Sequence, residues 1–146
     1  MLKNELDIAT QRLPPQERLE IGVGFLVWRL ASLDRSPGSV EETIKSSPKA
    51  IECIDLVLGY KPRVIWLAFS NNPGELKHWK EIFVKRQEQL FEQGRPWKLF
   101  IGVGNEEEAK FAADLGADVI VAQGILSALL PPLLIMIQVS NPADTD

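Results

Sequence analysis

This sequence has few residues that could bind a ligand or act in catalysis. The first candidates stand at the ends of two apolar runs. Gln123 ends the run DVIVAQ, and GVGNEEEA (102–109) follows the run KLFI. A glutamine amide can exchange hydrogen bonds with a planar heterocycle; it can also be a solvated strand end, and the pattern leaves both interpretations open. The two glycines of GVGNEEEA resemble a phosphate cradle at a helix N-terminus. Three glutamates suit the helix dipole and oppose a phosphate, so helix capping is the favoured prediction.

The other reactive residue types give no catalytic constellation. His78 is the only histidine and Cys53 the only cysteine. His78 stands in the middle of a predicted helix, away from any strand end, and is predicted to lie at the surface. Cys53 stands on an apolar helical face and is predicted to be a structural core residue. One histidine and one cysteine without shared spacing cannot build a typical zinc site, so we assign no metal ligand and no catalytic residue.

Predicted strands and helices alternate along the chain and position these candidates. Apolar runs predict strands over 19–28, 63–69, 98–104 and 118–123. Helices are predicted over 2–12, from Ser39 to Glu42, from Pro48 to Gly59, from the stretch SNNPGE to Gly94, from Asn105 to Gly116, and over 125–139. One apolar face of the fourth of these helices is expected to hold Leu76, Trp79, Phe83 and Leu90.

This alternation predicts an α/β fold with a parallel sheet and right-handed crossovers. Sites in such folds lie at the carboxyl ends of the strands. The positions where a site is expected are therefore Gly24-Phe25, Ser70-Asn71, Gly102 to Asn105 and Gln123-Gly124.

Composition narrows the class of protein. The chain has 146 residues, a net charge of −4 and 45% hydrophobic residues, which fits one globular domain. No cluster of lysine and arginine is present, so a nucleic-acid partner is not expected. The start MLKNELDIATQRL lacks an apolar signal-peptide core, and a cytoplasmic location is expected.

The window 119–139 carries no charge, and about 20 apolar residues can span a bilayer. It also holds two glutamines, a glycine, a serine and the pair Pro131-Pro132. No membrane partner is expected, and a tail anchor over 119–139 is kept as the weaker alternative.

Four segments, in this order, resemble the nitronate monooxygenase family, also called 2-nitropropane dioxygenase-like proteins, and especially its fungal branch. They are LEIGVGFLVWRL (19–30), KPRVIWLAFS (61–70), KLFIGVGNEEEAKFAADLGADVIVAQG (98–124) and LSALLPPL (126–133). The resemblance covers residues 19 to 133, and its strongest part is EEEAKFAADLGADVIVAQG. That family has a (β/α)₈ barrel that binds FMN and oxidises alkyl nitronates with molecular oxygen.

The resemblance implies a partial (β/α)₈ TIM barrel with four parallel strands, the family's strands three to six, and flanking helices. It divides the chain into an N-terminal helix and loop (1–18), a barrel domain (19–139) and a disordered tail (140–146). The family's opening strands, with their flavin loop, have no counterpart before residue 19, and the two strands that bind the FMN phosphate have none after residue 139. The implied protein is a truncated flavoprotein that does not hold FMN tightly.

The resemblance also assigns residues. Gln123 matches a family residue that hydrogen-bonds the flavin, Gly124 follows it, and Gly24 falls where many members have a flavin-contacting asparagine. In the family, an E/D-A-G-G-H stretch with the catalytic histidine follows the QG pair, whereas here ILSALLPP follows, and His78 is no substitute. The first hypothesis is therefore an FMN-dependent nitronate monooxygenase that is inactive or incomplete as this chain, with an alkyl nitronate as its substrate. The alternative is a non-catalytic barrel fragment that forms homo-oligomers or associates with a full-length relative.

Overall fold

Strands and helices alternate in the computed structural model, which describes residues 1–12, 19–33, 48–70, 72–92, 94–123 and 135–138. The helices are α1 (Leu2–Arg12), α2 (Val27–Ser32), α3 (Pro48–Gly59), α4 (Pro73–Phe91) and α5 (Glu106–Asp114). The strands are β1 (Leu19–Leu26), β2 (Pro62–Ala68), β3 (Lys98–Val103), β4 (Val119–Ala122) and β5 (Ile135–Gln138).

The five strands form one sheet in the order β1-β2-β3-β4-β5. The pairs β1–β2, β2–β3 and β3–β4 are parallel, whereas β5 is antiparallel to β4. The predicted α/β class with four parallel strands and flanking helices is confirmed. Because each parallel strand lies beside the one before it, the chain advances across the sheet by one strand per βα unit.

Residues that favour helix ends set the limits of the helices. The side chain of Asn72 accepts a hydrogen bond from Glu75 N (2.9 Å), and Pro73 occupies the first turn of α4. Glu92 ends α4 in the left-handed conformation. After α5, Gly116 has a φ of 77°, which glycine adopts without the steric cost that a side chain would bring.

One face of the sheet packs against all five helices. Its buried strand residues include Phe25, Ile65, Leu67, Leu99 and Ile101. They belong to a single core cluster with buried residues of every helix, among them Leu6, Leu30, Ile54, Phe83 and Ala112. We call this side the helix face.

The opposite side, which we call the open face, is built from the alternate strand residues. One row across it is formed by register partners: Gly24 pairs with Trp66, Trp66 with Phe100, and Phe100 with Val119. Trp66 and Phe100 are half-buried, and none of the four belongs to the helix-face cluster. The apolar composition of both faces suits a parallel sheet, whose strands are normally covered on both sides.

Two contacts that involve charged side chains join helices to one another. Arg86 of α4 binds Asp55 of α3 through two parallel hydrogen bonds, Nε to Oδ1 at 2.7 Å and Nη2 to Oδ2 at 2.5 Å. The Tyr60 hydroxyl donates to Asp7, which links the end of α3 to α1. The paired charge of Arg86 is held by geometry that a lysine could not reproduce.

Some boundaries differ from the predictions. The first strand ends at Leu26, so Trp28 belongs to α2 rather than to the strand predicted over 19–28. The helix predicted over 125–139 is wrong at its end, because Ile135–Gln138 is a strand. Leu90 was expected on the apolar face of α4 but is 42% exposed, while Gln87 is buried. The helix predicted from Ser39 to Glu42, residues 13–18 and the tail 140–146 lie outside the described residues.

Of the helices in the described part of the chain, none is long and apolar enough to cross a membrane. The window 119–139 has strand β4 near one end and strand β5 near the other, and the two pair with each other. Residues 124–134 and 139 of this window lie outside the described residues, and the tail anchor stays a prediction.

Candidate functional site

The four parallel strands bring their carboxyl ends to one border of the sheet, which we call the carboxyl edge. The strands end there at Leu26, Ala68, Val103 and Ala122. Backbone hydrogen bonds continue just past these ends, from Trp28 N to Phe69 O (3.3 Å) and from Gln123 N to Val103 O (2.8 Å). Each described position that was predicted lies within two residues of a strand end at this edge: Gly24-Phe25, Ser70, Gly102 to Asn105 and Gln123. Asn71 lies outside the described residues.

Gln123 lies half-buried at this edge, directly after β4. Its backbone is fixed by the bond to Val103 O, and none of the described residues forms a hydrogen bond with its side-chain amide. A glutamine amide at such a position can both donate and accept hydrogen bonds. Gly124 lies outside the described residues.

Gly24 is not adjacent to Gln123. It stands in β1, two residues before the strand ends, and β1 is three strands from β4. Three strand spacings amount to roughly 14 Å along the sheet. A ligand that contacts both Gly24 and Gln123 would therefore have to extend across the open face.

In the turn between β3 and α5, the backbone is bound by a carboxylate of the same segment, that of Glu108. Asn105 caps α5 by accepting from Glu108 N at 2.9 Å, and the Glu108 carboxylate accepts from Gly104 N at 2.6 Å and from the Asn105 amide at 3.1 Å. The carboxylate thus takes the backbone N–H that a phosphate would need. The prediction of capping is confirmed, and the geometry argues against an anion at this turn.

Packing against Trp66 explains why glycine occupies positions 24 and 102 on the open face. The indole of Trp66 lies between two neighbouring strands that carry glycine. A Cβ on Gly24 would lie 3.7 Å from Trp66 Cε3, and a Cβ on Gly102 would lie 3.3 Å from Trp66 Nε1 and 3.1 Å from Ala68 Cβ. The Nε1 atom is buried without a hydrogen-bond partner among the described residues. The absence of a side chain at Gly102 therefore leaves space for the Trp66 indole.

We expect Gly102→Ala to lower the free energy of unfolding by about 1–3 kcal/mol, the usual cost of overpacking. Gly94→Ala is the control, because a Cβ there meets nothing within 4 Å, and it should change stability by less than about 0.5 kcal/mol. Urea denaturation of both variants measures the difference. Equal stability of the two variants would show that the sheet accepts a side chain at residue 102.

Glu75 is a buried carboxylate near the carboxyl edge, and the sequence analysis did not single it out. It lies in the first turn of α4 and is 7% exposed, the only acidic residue in the described part of the chain that is buried. The signal that could have found it is the Asn72–Glu75 spacing, which repeats that of Asn105 and Glu108 and marks a helix start.

The two reactive residues noted in the sequence lie elsewhere. His78 is half-buried one turn after Glu75 in α4, with its ring 5.5 Å from the ring of Trp79. Cys53 is half-buried in α3, and burial raises the pKa of its thiol. A raised pKa lowers the thiolate fraction at neutral pH, so the predicted structural role of Cys53 is favoured over reactivity.

An exposed apolar group adjoins the ends of β1 and β2. Leu26, Trp28 and Phe69 are 44%, 43% and 54% exposed. Phe69 also has a φ of 55°, in the left-handed region that a phenylalanine rarely adopts. The hydrogen bond from Trp28 N to Phe69 O holds this backbone in place.

Among the described residues, no group of three or more histidine, cysteine, aspartate or glutamate side chains could hold a metal ion. The edge therefore offers an amide at Gln123, a buried carboxylate at Glu75 and apolar surface. Among the described residues of this edge, no nucleophile is hydrogen-bonded to a base as a catalytic pair would be.

Comparisons with protein-family models, with curated proteins and with solved structures find no match to this chain. The resemblance to nitronate monooxygenases consequently remains a prediction from the segments quoted above.

Proposed function

We propose that this chain is a segment of a nitronate monooxygenase-like (β/α)₈ barrel that is not catalytically complete by itself. The observation that carries the proposal is the arrangement of β1 to β4, in which consecutive parallel strands are neighbours and the helices of the described part of the chain pack on one face. Consecutive βα units of a barrel have this arrangement. A doubly wound fold instead reverses its strand order and carries helices on both faces.

The proposal applies to β1 to β4 only. The antiparallel strand β5 occupies the edge of β4 where a barrel would continue with another parallel strand. Residues 19 to 122 are therefore the part for which a barrel relationship is proposed.

The residues of this chain fit FMN only in part. The side-chain amide of Gln123 suits the polar edge of a flavin ring, and the apolar open face suits the flat ring system. Gly104 does not suit the phosphate, because its N–H is bound by the Glu108 carboxylate. When bound, FMN would supply the redox chemistry, and this chain would contribute the orientation of one ring edge through Gln123.

We expect the purified chain to be colourless and to bind FMN and riboflavin weakly and with similar affinities. FMN differs from riboflavin by its phosphate, and the Gly104 N–H that could bind this phosphate is already bound by Glu108. Gln123→Leu should weaken binding of both about 2- to 10-fold, the effect of one lost hydrogen bond. Quenching of flavin fluorescence measures both affinities, with His78→Ala as the control variant.

Three results would contradict this proposal. A yellow preparation with near-stoichiometric FMN would show that the site is complete. A strong preference for FMN over riboflavin would show that a phosphate grip exists. Equal affinities of the Gln123→Leu and wild-type chains would remove Gln123 from the site.

A second candidate function is association with another chain. The exposed group formed by Leu26, Trp28 and Phe69, together with the half-buried Trp66 and Phe100, favours it. Apolar surface concentrated in this way marks interaction sites more often than solitary exposed residues do. This role needs no turnover and is compatible with an incomplete barrel.

A further inference from the structure

The two edges of the sheet differ in how they end. On one side the edge strand is β5, which has only four residues and pairs with β4 from Val119–Gln138 to Ala122–Ile135. Very short edge strands offer little backbone for pairing with another chain. On the other side the edge strand is β1, which has eight residues, and no backbone hydrogen bond joins its outer edge to another of the described residues.

Strand β1 carries few of the features by which proteins protect an open edge. From Ile21 to Leu26 it contains no charged residue and no proline. Its ladder with β2 is irregular between Leu19 and Gly22 and regular from Gly22 to Leu26. Gly22, Gly24 and Leu26 are exposed. Long neutral edges of this kind pair readily with another strand.

We propose that β1 is the dimer interface of this protein and that its partner is β1 of a second copy, paired antiparallel across a two-fold axis. The inference rests on the association role proposed above and names its surface. A two-fold axis makes an interface self-complementary, because the same surface is used by both copies. The product is one sheet that continues through both molecules, with β5 as the edge strand at each end.

The sequence of β1 is compatible with such self-pairing. With the axis at Val23, Gly22 lies opposite Gly24 of the second copy, and Ile21 lies opposite Phe25. No charged residue lies opposite one of the same sign, because Glu20 is the only charged residue of the strand. The paired glycines add no side chains between the two open faces, and the apolar pair falls on the helix face, where the cores would become continuous.

Gly24→Lys tests this interface without disturbing the single chain. A Cβ at residue 24 meets only Trp66 Cε3, at the ordinary distance of 3.7 Å. In the dimer the two lysines would be diagonal neighbours, about 7–8 Å apart. We expect the wild type to be a dimer and Gly24→Lys to raise the dimer Kd by about 100-fold or more, as like charges within an interface do.

Gly94→Lys is the matched control, because residue 94 is also an exposed glycine with open space around it. It should dimerise like the wild type. Light scattering and sedimentation equilibrium across a dilution series measure the three chains. A monomeric wild type would overturn the proposal, and so would a dimer whose Kd is unchanged by Gly24→Lys.

A crosslink provides an independent test in case Gly24→Lys folds poorly. Gly24→Cys, made with Cys53→Ala so that one thiol remains, should form a covalent dimer with a short bismaleimide. Cys53→Ala/Gly94→Cys should not. Absence of the crosslink in a dimeric sample would overturn the β1 interface. Such a dimer would use another surface, so the barrel assignment and the flavin titration would stand or fall separately.

Discussion

Phe83→Ala is expected to lower the free energy of unfolding by about 3–5 kcal/mol, the range for deleting a buried aromatic side chain. Phe83 is completely buried in α4, where its ring lies 5.0 Å from that of Phe25 and 6.2 Å from that of Trp97, both edge-on. The variant therefore loses two aromatic contacts as well as its buried area. These contacts join β1, α4 and the residue before β3.

Leu90→Ala is the control on the same helix. Since Leu90 is largely exposed, its loss should cost less than about 1 kcal/mol. Urea denaturation at one fixed protein concentration compares both variants with the wild type, because dimerisation makes stability depend on concentration. Similar losses in the two variants would mean that the aromatic cluster does not organise the core as described.

The parts of the fold that were predicted from sequence depend on local chemistry. Asn105 and Glu108 mark the start of α5 because their side chains satisfy backbone N–H groups that have no partner within the helix. Gly116 marks its end because the left-handed conformation there suits glycine. Such signals involve residues three or four positions apart, so the sequence contains them directly.

The parts that were missed depend on contacts between distant residues. Whether Leu90 or Gln87 is buried depends on how far the neighbouring elements extend along α4, and the helical period does not encode this. Residues 135–138 form a short apolar run, which periodicity alone cannot assign to helix or strand. Its pairing with β4 decides the outcome.

In the candidate site, too, some features follow from the sequence and others from contacts between distant residues. Parallel strand order was enough to bring Gln123 to the edge that holds the other strand ends. The glycines were harder, because Gly102 can be read as room for a ligand or as room for Trp66. Only the register of β2 and β3 shows that the tryptophan fills that space. Burial of Glu75 likewise follows from the packing of α4.

Asp118→Ala is expected to lower the free energy of unfolding by about 2–3 kcal/mol. The Asp118 carboxylate accepts from Arg95 Nη1 at 2.6 Å and from Leu99 N at 2.7 Å, and Lys98 Nζ lies 3.6 Å away. The substitution leaves the Leu99 N–H without its acceptor and Arg95 without its partner. This loss lies below the range of about 3–5 kcal/mol for breaking a fully buried pair, because the Asp118 side chain is 24% exposed. Asp114→Ala, at an exposed position of α5, should change stability by less than about 0.5 kcal/mol.

The charge of Asp118 makes this contribution depend on pH. Burial raises the pKa of Asp118, but the hydrogen bonds from Leu99 N and Arg95 and the charges of Arg95 and Lys98 together hold it below its usual range. Because the folded pKa is lowered, the stabilisation is complete above the unfolded value of about 3.9 and is lost as the pH falls through the folded pKa.

Asp118→Asn separates the charge from the shape, since its amide oxygen can still accept from Leu99 N. The wild type should exceed this variant in stability at pH 7, and the gap should close as the pH falls below about 4. Urea denaturation at a series of pH values measures the gap. If the gap is the same at pH 7 and pH 3, the ionised form of Asp118 is not what joins the start of β4 to β3, and hydrogen bonding alone would account for the position.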